Sequence, residues 1–253
     1  MEPVIVRNIE IGTGIPKICA PVVGATKEEI ICEAEKIKRS PVDIAEWRAD
    51  WFEASDDIEA VKEILCRLRD VLGEMPVLFT FRTLKEGGEK AIDRESYIRL
   101  NIEAAQTGCV DLIDAELFFA EEEIKNIIHQ AHRCGVKVVA SSHDFEKTPD
   151  AEEIVSRLCK MQDLGADLLK IAVMPQSKKD VLTLLQATDE MHQKYAKRPV
   201  ITMSMSGIGT VSRLCGEIFG SAVTFGAVGK ASAPGQIGAE ELAQILAVLH
   251  KDI

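Results

Sequence analysis

The chain has 253 residues, of which 46% are hydrophobic and 28% charged, the balance of a soluble globular protein and not of a disordered one. Basic residues number 30 against 41 acidic ones, a net charge of −11, which argues against nucleic acid or an anionic membrane surface as a main partner. Seven scattered cysteines with no CxxC pair read as reduced, mostly buried thiols, so disulfides and a cysteine-type zinc site are both disfavoured.

No apolar run approaches the roughly 20 residues that span a bilayer. The start, MEPVIVRNIE, lacks a basic region followed by an apolar stretch, so no secretory leader is expected. The expected location is cytoplasmic. In chain order, two short strands at 2–6 and 9–11 come first, placed to plug one end of the fold. β-rich apolar runs then recur at about 18–24, 43–50, 76–82, 110–117, 136–143, 167–174, 198–205 and 222–226. Helically spaced segments separate them. Ile58, Val61, Ile64, Leu65, Leu68 and Leu72 make one apolar face, closed by Gly73 with Pro76 beyond it, and Leu242, Ile245, Leu246 and Leu249 make the last.

Eight strand–helix units with no Pro/Gly/Ser-rich linker predict a single catalytic domain over residues 1–253. The fold class is α/β, a (β/α)8 TIM barrel with a short N-terminal β-hairpin closing one end. A doubly wound sheet is the competing architecture, but its nucleotide motifs fail. Ser206-Gly207-Ile208-Gly209 has Ser212 where a third glycine is required, and Gly226 and Gly229 stand too close together before Lys230, with Ala231 where a Ser or Thr should follow.

Side chains two apart on a strand share a face, and in a barrel one face points inward. This parity collects Glu46, Arg48 and Asp50 from strand two, Thr80 and Arg82 from strand three, and Asp114 and Glu116 from strand four. It adds Ser141 and His143, Lys170, Met203 and Met205, and finally Phe225 from the later strands. The charged groups gather toward the strand C-termini, where barrel active sites are built.

Each has a structural alternative. Arg48, Asp50 and Glu46 would serve equally as an ion-paired layer. His143 would serve as a hydrogen-bonded core histidine, and Asp114 or Glu116 as an orienting neighbour. The other histidines, His129, His132, His192 and His250, fall in helical segments without a carboxylate pattern, so no metal site is expected. Lys170 is the most informative residue. It lies in the apolar run Leu168-Leu169-Lys170-Ile171-Ala172-Val173, and lysine is seldom fully buried. Burial favours the neutral amine, which attacks carbonyls; the alternative is a lysine that snorkels to a strand end or pairs with Glu116.

The runs Glu46–Asp50 (EWRAD), Phe79–Thr83 (FTFRT) with Glu86-Gly87-Gly88, Ser142–Phe145 (SHDF), Lys170–Met174 (KIAVM), Met203–Ser206 (MSMS) and Ala231–Gln236 (ASAPGQ) resemble the type I 3-dehydroquinate dehydratases. They fall in that family's order across essentially the whole chain. The resemblance implies a barrel, usually a homodimer, that converts the small molecule 3-dehydroquinate to 3-dehydroshikimate in the shikimate pathway, with no cofactor and no metal. It implies Lys170 as the Schiff-base lysine, His143 as the proton-transfer residue and Glu86 as the carboxylate that assists it. It implies Arg213 for the substrate carboxylate, and Glu46, Arg48 and Arg82 for its hydroxyls and the polar end of the pocket. Ser232, Ala233 and Gln236 correspond to a lid, and Phe145, Met203, Met205 and Phe225 to apolar walls. Ala20-Pro21 departs from the small polar residue common at the end of the family's first barrel strand, and no substrate contact is assigned to Pro21.

Two rival readings remain at this level. One is a Schiff-base aldolase for a phosphorylated sugar, drawn by Gly207, Gly209, Gly226 and Gly229 in the loops after strands seven and eight, where barrels often bind phosphate. The other is a metabolite-binding barrel without catalysis.

Overall fold

The computed structural model describes residues 1–117, 123–229 and 232–251; Lys230 and Ala231, named in the loop motifs above, lie outside them. The chain begins with a hairpin, β1 (Val4–Val6) and β2 (Ile9–Ile11), paired antiparallel. The barrel strands follow as β3 (Lys17–Val22), β4 (Ile44–Arg48), β5 (Val77–Thr80), β6 (Leu112–Glu116), β7 (Lys137–Asp144), β8 (Leu168–Val173), β9 (Val200–Ser204) and β10 (Val223–Ala227). Each of the eight falls on one of the expected apolar runs. A short β11 (Ile237–Gly238), absent from those expectations, adds to β10 in parallel.

Helices cover the outside: α1 (Lys27–Lys38), α2 (Ile58–Leu72), α3 (Arg94–Gln106), α4 (Ile124–Arg133), α5 (Ala151–Asp163), α6 (Lys178–Glu190), the one-turn α7 (Val211–Leu214) and α8 (Gly216–Phe219), and α9 (Ala239–His250). Their starts are written locally. Thr26 and Glu29 form a reciprocal cap on α1, as Ser177 and Asp180 do on α6, and Asp57, Asp93 and Asp150 accept amide hydrogens at the starts of α2, α3 and α5. Each such cap is worth about 1 kcal/mol. Gly73 ends α2 at φ +63, a conformation that strains any side-chain-bearing residue.

From β3 to β9 the strands pair in parallel in chain order, and β10 pairs with β3. The ring closes where Val200 bridges Ser221: the Ala222 amide donates to the Val200 carbonyl at 2.7 Å, and the Thr202 amide donates to Ser221 Oγ at 3.0 Å. Alternate residues face the two sides of this wall. Trp47, Phe79 and Ile113 point outward into the helix layer, whereas Cys19, Ile44, Leu78, Leu112, Val139 and Leu168 point into the barrel and meet Val4, Val6 and Ile11 of the hairpin. The hairpin therefore plugs the end where the strands begin. Arg7 in its turn donates to Asp111 Oδ1 at 2.6 Å, fixing the plug to the lead-in of β6. That sealed floor leaves the polar inward residues only the C-terminal end of the barrel to open into.

Candidate active site

Above the apolar floor the inward positions become charged. Lys170, in the middle of β8, is 3% exposed. Its Nζ lies 3.3 Å from Asp114 Oδ2 of β6 and 3.5 Å from Glu46 Oε1 of β4, and 4.5 Å above the Phe225 ring of β10. Leu169, Ile171 and Val173 of its run pack outward, Leu168 and Ala172 face inward with it, and the groups nearest the amine are two carboxylates and a ring. The alternative partner Glu116 is occupied elsewhere. Its carboxylate accepts from Arg82 Nη1 at 2.9 Å, the Thr83 amide at 2.8 Å and Thr83 Oγ1 at 2.7 Å.

Arg82 organises this side. Besides Glu116 it donates to Asp114 Oδ2 at 2.7 Å and Ser141 Oγ at 3.0 Å, and it lies 3.6 Å from Glu86. Burial opposes its charge, but Asp114, Glu116 and Glu86 together hold its pKa well above the usual arginine value. Burial likewise works against the Asp114 carboxylate, yet Arg82, Lys170 and the Ser141 hydroxyl keep its pKa below the ordinary range. Arg48 is gripped by Asp50 through paired bonds of 2.8 and 2.7 Å. Asp50 is not on the strand as parity suggested. It sits in the turn Ala49–Trp51 after β4 and folds back, accepting also from the Arg82 and Glu89 amides. Arg48 and Asp50 are thus paired with each other, while Glu46 lies beside Lys170 and accepts from Thr80 Oγ1 at 3.0 Å.

Glu86 ends a short turn, Leu84–Glu86, after β5. Its Oε2 accepts from the His143 backbone amide at 3.0 Å and lies 2.9 Å from His143 Nδ1. An oxygen already accepting one N–H fits a second, so the imidazole places its proton on Nδ1 and leaves Nε2 a free base. Burial, with Arg82, Lys170 and Arg48 nearby, pushes the His143 pKa well below 6.5, so the ring is neutral near pH 7. Burial, with Glu116 and Asp114, raises Glu86 to about 8 against the pull of Arg82 and the His143 amide. A carboxyl group protonated on Oε1 still accepts the Nδ1 proton at Oε2. Its electrostatic support for an imidazolium is thereby weaker than the carboxylate read from the sequence. Next to Glu86, Gly87 adopts φ +81, and a Cβ there would stand 2.3 Å from the Phe145 ring; the glycine lets Phe145 lie across the cavity mouth.

The opposite side is different. Arg213 of α7 is 1% exposed, and its guanidinium reaches only Met203 Sδ at 3.7 Å, the Phe225 carbonyl at 3.5 Å and the Pro234 carbonyl at 3.2 Å. Its Nε has no hydrogen-bond partner, and no acidic side chain pairs with it among the described residues. Burial lowers its pKa to about 10, so it remains a cation at neutral pH. The segment carrying Ser232, Ala233 and Gln236 lies over this cation. Gln236 and Ser232 hydrogen-bond each other at 3.0 and 3.4 Å, the Ser206 amide donates to Pro234, and Gly235 packs where a Cβ would meet the Ser206 carbonyl at 2.4 Å.

The fourteen residues given a role by the family resemblance line one cavity, together with Gly87 and Ala172, whereas Asp50, Asp114 and Glu116 stand behind it. Its volume is about 40 Å³, far below the roughly 300 Å³ at which small-molecule clefts begin. A larger groove of about 760 Å³ lies outside the barrel mouth between Glu53–Ile58 and Glu89–Leu100 and holds none of these residues. Asp114 is the participant that strand parity placed on the right face without a role; its contact with Lys170 is diagonal, since the ladder aligns Lys170 with Ser141 and Ser141 with Glu116, and sequence periodicity does not supply it. No set of three His, Cys, Asp or Glu side chains among the described residues has the geometry to hold a metal ion, and no helix among them is long and apolar enough to cross a membrane.

Residues 18–253 match the type I 3-dehydroquinase family. The chain belongs to the type I 3-dehydroquinase family. It is thereby an enzyme of the hydro-lyase class. It is 59% identical to 3-dehydroquinate dehydratase of Clostridioides difficile strain 630 over 248 residues, 98% of this chain and 97% of that one. Among solved structures it superposes with a TM-score of 0.97 on the type I 3-dehydroquinate dehydratase of Clostridium difficile with covalent modified comenic acid, at 58% identity and covering 100% and 99% of the two chains. The 3-dehydroquinate dehydratase of Enterococcus faecalis gives 0.92 at 45% identity, with 97% and 99% covered. This family fold accounts for the closed barrel and for the hairpin beneath it.

Proposed function

We propose that this member of the type I 3-dehydroquinase family removes water from 3-dehydroquinate through an imine on Lys170, as a step of the shikimate pathway. The observation that carries the reading is one cavity lined by a buried lysine amine, a neutral histidine base and a buried guanidinium without an acidic partner among the described residues. A ring acid bearing a ketone, an adjacent acidic C–H and a β-hydroxyl matches those three groups one for one.

Lys170 sheds a proton, with Glu46 Oε1 in reach at 3.5 Å, and its nitrogen attacks the ketone. The carbonyl oxygen leaves as water and an iminium remains, a far better electron sink than the ketone. His143 Nε2 takes the α-proton; the C–H electron pair moves toward the iminium nitrogen and then expels the β-hydroxyl, which leaves as water with the proton His143 took. Its depressed pKa suits the imidazole to take up and deliver a proton within one turnover. Water then hydrolyses the product iminium and frees the amine. Arg213 holds the ring carboxylate through two parallel hydrogen bonds, while Glu46 and Arg48 meet hydroxyls. Arg82 shapes the site mainly by holding Glu116, Asp114 and Glu86. Closure of Ser232–Gln236 excludes bulk water from the imine.

The sugar-phosphate aldolase reading is weaker on this geometry. The unpaired cation beneath the covering segment is one planar guanidinium, suited to a carboxylate, and of the loop glycines that drew this reading Gly209 packs on the Ser204 backbone and Gly226 on Ala239 and Leu242. The assay is direct. Mixed with 3-dehydroquinate, the purified chain generates the near-ultraviolet absorbance of an enone, with one product of the substrate's mass less water; aldol cleavage into two fragments, or no turnover, overturns the reading. We extend the proposal to a cytoplasmic homodimer built from one barrel domain per chain, supported by the family resemblance and the acidic charge. Size-exclusion chromatography with light scattering at twice the chain mass supports it, and a monomer removes it.

A further inference from the structure

On the outside of the barrel, at the end opposite the cavity, two thiols meet that sequence spacing gave no reason to pair. Cys66 lies on α2 and Cys109 in the turn between α3 and β6, 43 residues away, and their Sγ atoms stand 2.8 Å apart. That is only about 0.8 Å longer than a disulfide bond. The backbones are already fastened to each other. Arg69, one turn beyond Cys66, donates through Nε to the Cys109 carbonyl at 3.2 Å and through Nη1 to the Gly73 and Met75 carbonyls, so bonding the sulfurs requires little movement of either segment. Cys66 is exposed and Cys109 half-buried, so one of the two meets an oxidant first and the other lies in reach to resolve it.

We propose that Cys66 and Cys109 form a modification site, a reversible intramolecular disulfide that staples α2 to the lead-in of β6, with a small peroxide as the oxidant. The Cys66 sulfur attacks one oxygen of hydrogen peroxide; the O–O bond breaks, and Cys66 becomes a sulfenic acid with release of water. The Cys109 sulfur then displaces the hydroxyl from Cys66. The S–O bond breaks, the S–S bond forms, and the departing hydroxide leaves as water with the Cys109 proton. Two thiols give up two electrons, which the peroxide takes. Burial and the neighbouring Cys66 raise the Cys109 pKa to about 11, which keeps Cys109 a thiol until the sulfenic acid forms beside it. A dithiol reductant reverses the bond.

The turn holding Cys109 precedes β6, whereas the cavity opens at the strand C-termini, so the bond bears on stability and not on turnover. Closing the loop from 66 to 109 restricts the unfolded chain and raises the thermal midpoint by roughly 5 °C or more. The test treats the full chain with hydrogen peroxide, alkylates the remaining thiols and maps peptides by mass. The expected product is lighter by two hydrogens, has lost two of its seven thiols, yields a Cys66–Cys109 crosslinked peptide and returns to the starting mass with dithiothreitol. Cys66→Ser and Cys109→Ser each abolish the crosslink and the midpoint shift while turnover is unchanged. A Cys66 carried on to sulfinic acid without a crosslink, a crosslink through any other cysteine, or one between two chains overturns the proposal.

Discussion

The wall of the cavity built from β4 to β7 carries Glu46, Glu86, Asp114 and Glu116, and three of these carboxylates surround Arg82 within 3.6 Å. The wall built from β9, β10 and the loops above them carries Met203, Met205, Phe225 and, among the described residues, a single cation, Arg213, whose polar contacts are two carbonyls and a sulfur. Both walls are equally buried, yet one has spent its charge on itself and the other has kept one unspent. Buried charges are ordinarily paired, so an unpaired one marks where an anionic group is expected, while a saturated one marks structure. The comparison assigns different jobs to two arginines that look alike in the sequence.

The largest expected effect lies between the walls. Lys170→Ala removes the proposed nucleophile, and turnover falls to background while circular dichroism and the unfolding midpoint report a folded barrel. Retention of turnover would return Lys170 to a purely structural role as counter-charge for Asp114 and Glu46. Next is His143→Ala, which leaves imine formation possible but removes the base; turnover falls roughly 10²–10⁴-fold, and a covalent adduct accumulates in intact-mass spectra. A variant within a few-fold of the parent transfers the base role to Glu86 or Glu116.

The arginines test the comparison itself. Arg82→Met strands Asp114 and Glu116, and urea unfolding is expected to show a loss of about 3–5 kcal/mol. Arg213→Met removes a cation with no acidic partner, so unfolding stability is retained, while kcat/KM falls by roughly 30-fold or more through loss of the carboxylate clamp. If both substitutions destabilise alike, or if Arg213→Met leaves kcat/KM intact, the two walls do not differ in the way described.

The smallest effect is in pH. Glu86 has a folded pKa of about 8 against an ordinary 4.5, so the folded state binds more protons; its stabilising contribution is full below 4.5 and is lost as pH rises toward 8. His143, held below 6.5, acts oppositely, and its contribution is lost only as pH falls through the region below 6.5. Between pH 6.5 and 8 the Glu86 contribution therefore dominates this pair. The thermal midpoint of the parent is expected to decline across that window relative to Glu86→Gln, and parallel curves would show that Glu86 is already ionised.

Much of this was legible beforehand because strands have a period of two. Parity put Glu46, Arg48, Thr80, Asp114, Glu116, Ser141, Lys170, Met203 and Phe225 on the inner face, and all of them are there. What parity lacks is register. The ladder aligns Lys170 with Ser141 and Ser141 with Glu116, yet Nζ meets Asp114 on the diagonal because Arg82 and Thr83 already hold Glu116, and no local pattern encodes that. Asp50 was misplaced because β4 ends at Arg48 and a tight turn reverses the alternation. The contact between Cys66 and Cys109 escaped for the same kind of reason, since it depends on the angle at which α2 lies across the barrel. Arg213 could be named from a family motif, but its unpaired state is a property of the neighbours it lacks.

The central claim is that Lys170 is the group that bonds to substrate. Incubating the chain with 3-dehydroquinate and sodium borohydride, then mapping peptides by mass, tests it in one step. The account predicts a single reduced adduct on the peptide containing Lys170, absent when borohydride is omitted. An adduct on Lys160, Lys178 or any other lysine, or turnover with no trapped adduct at all, would contradict it.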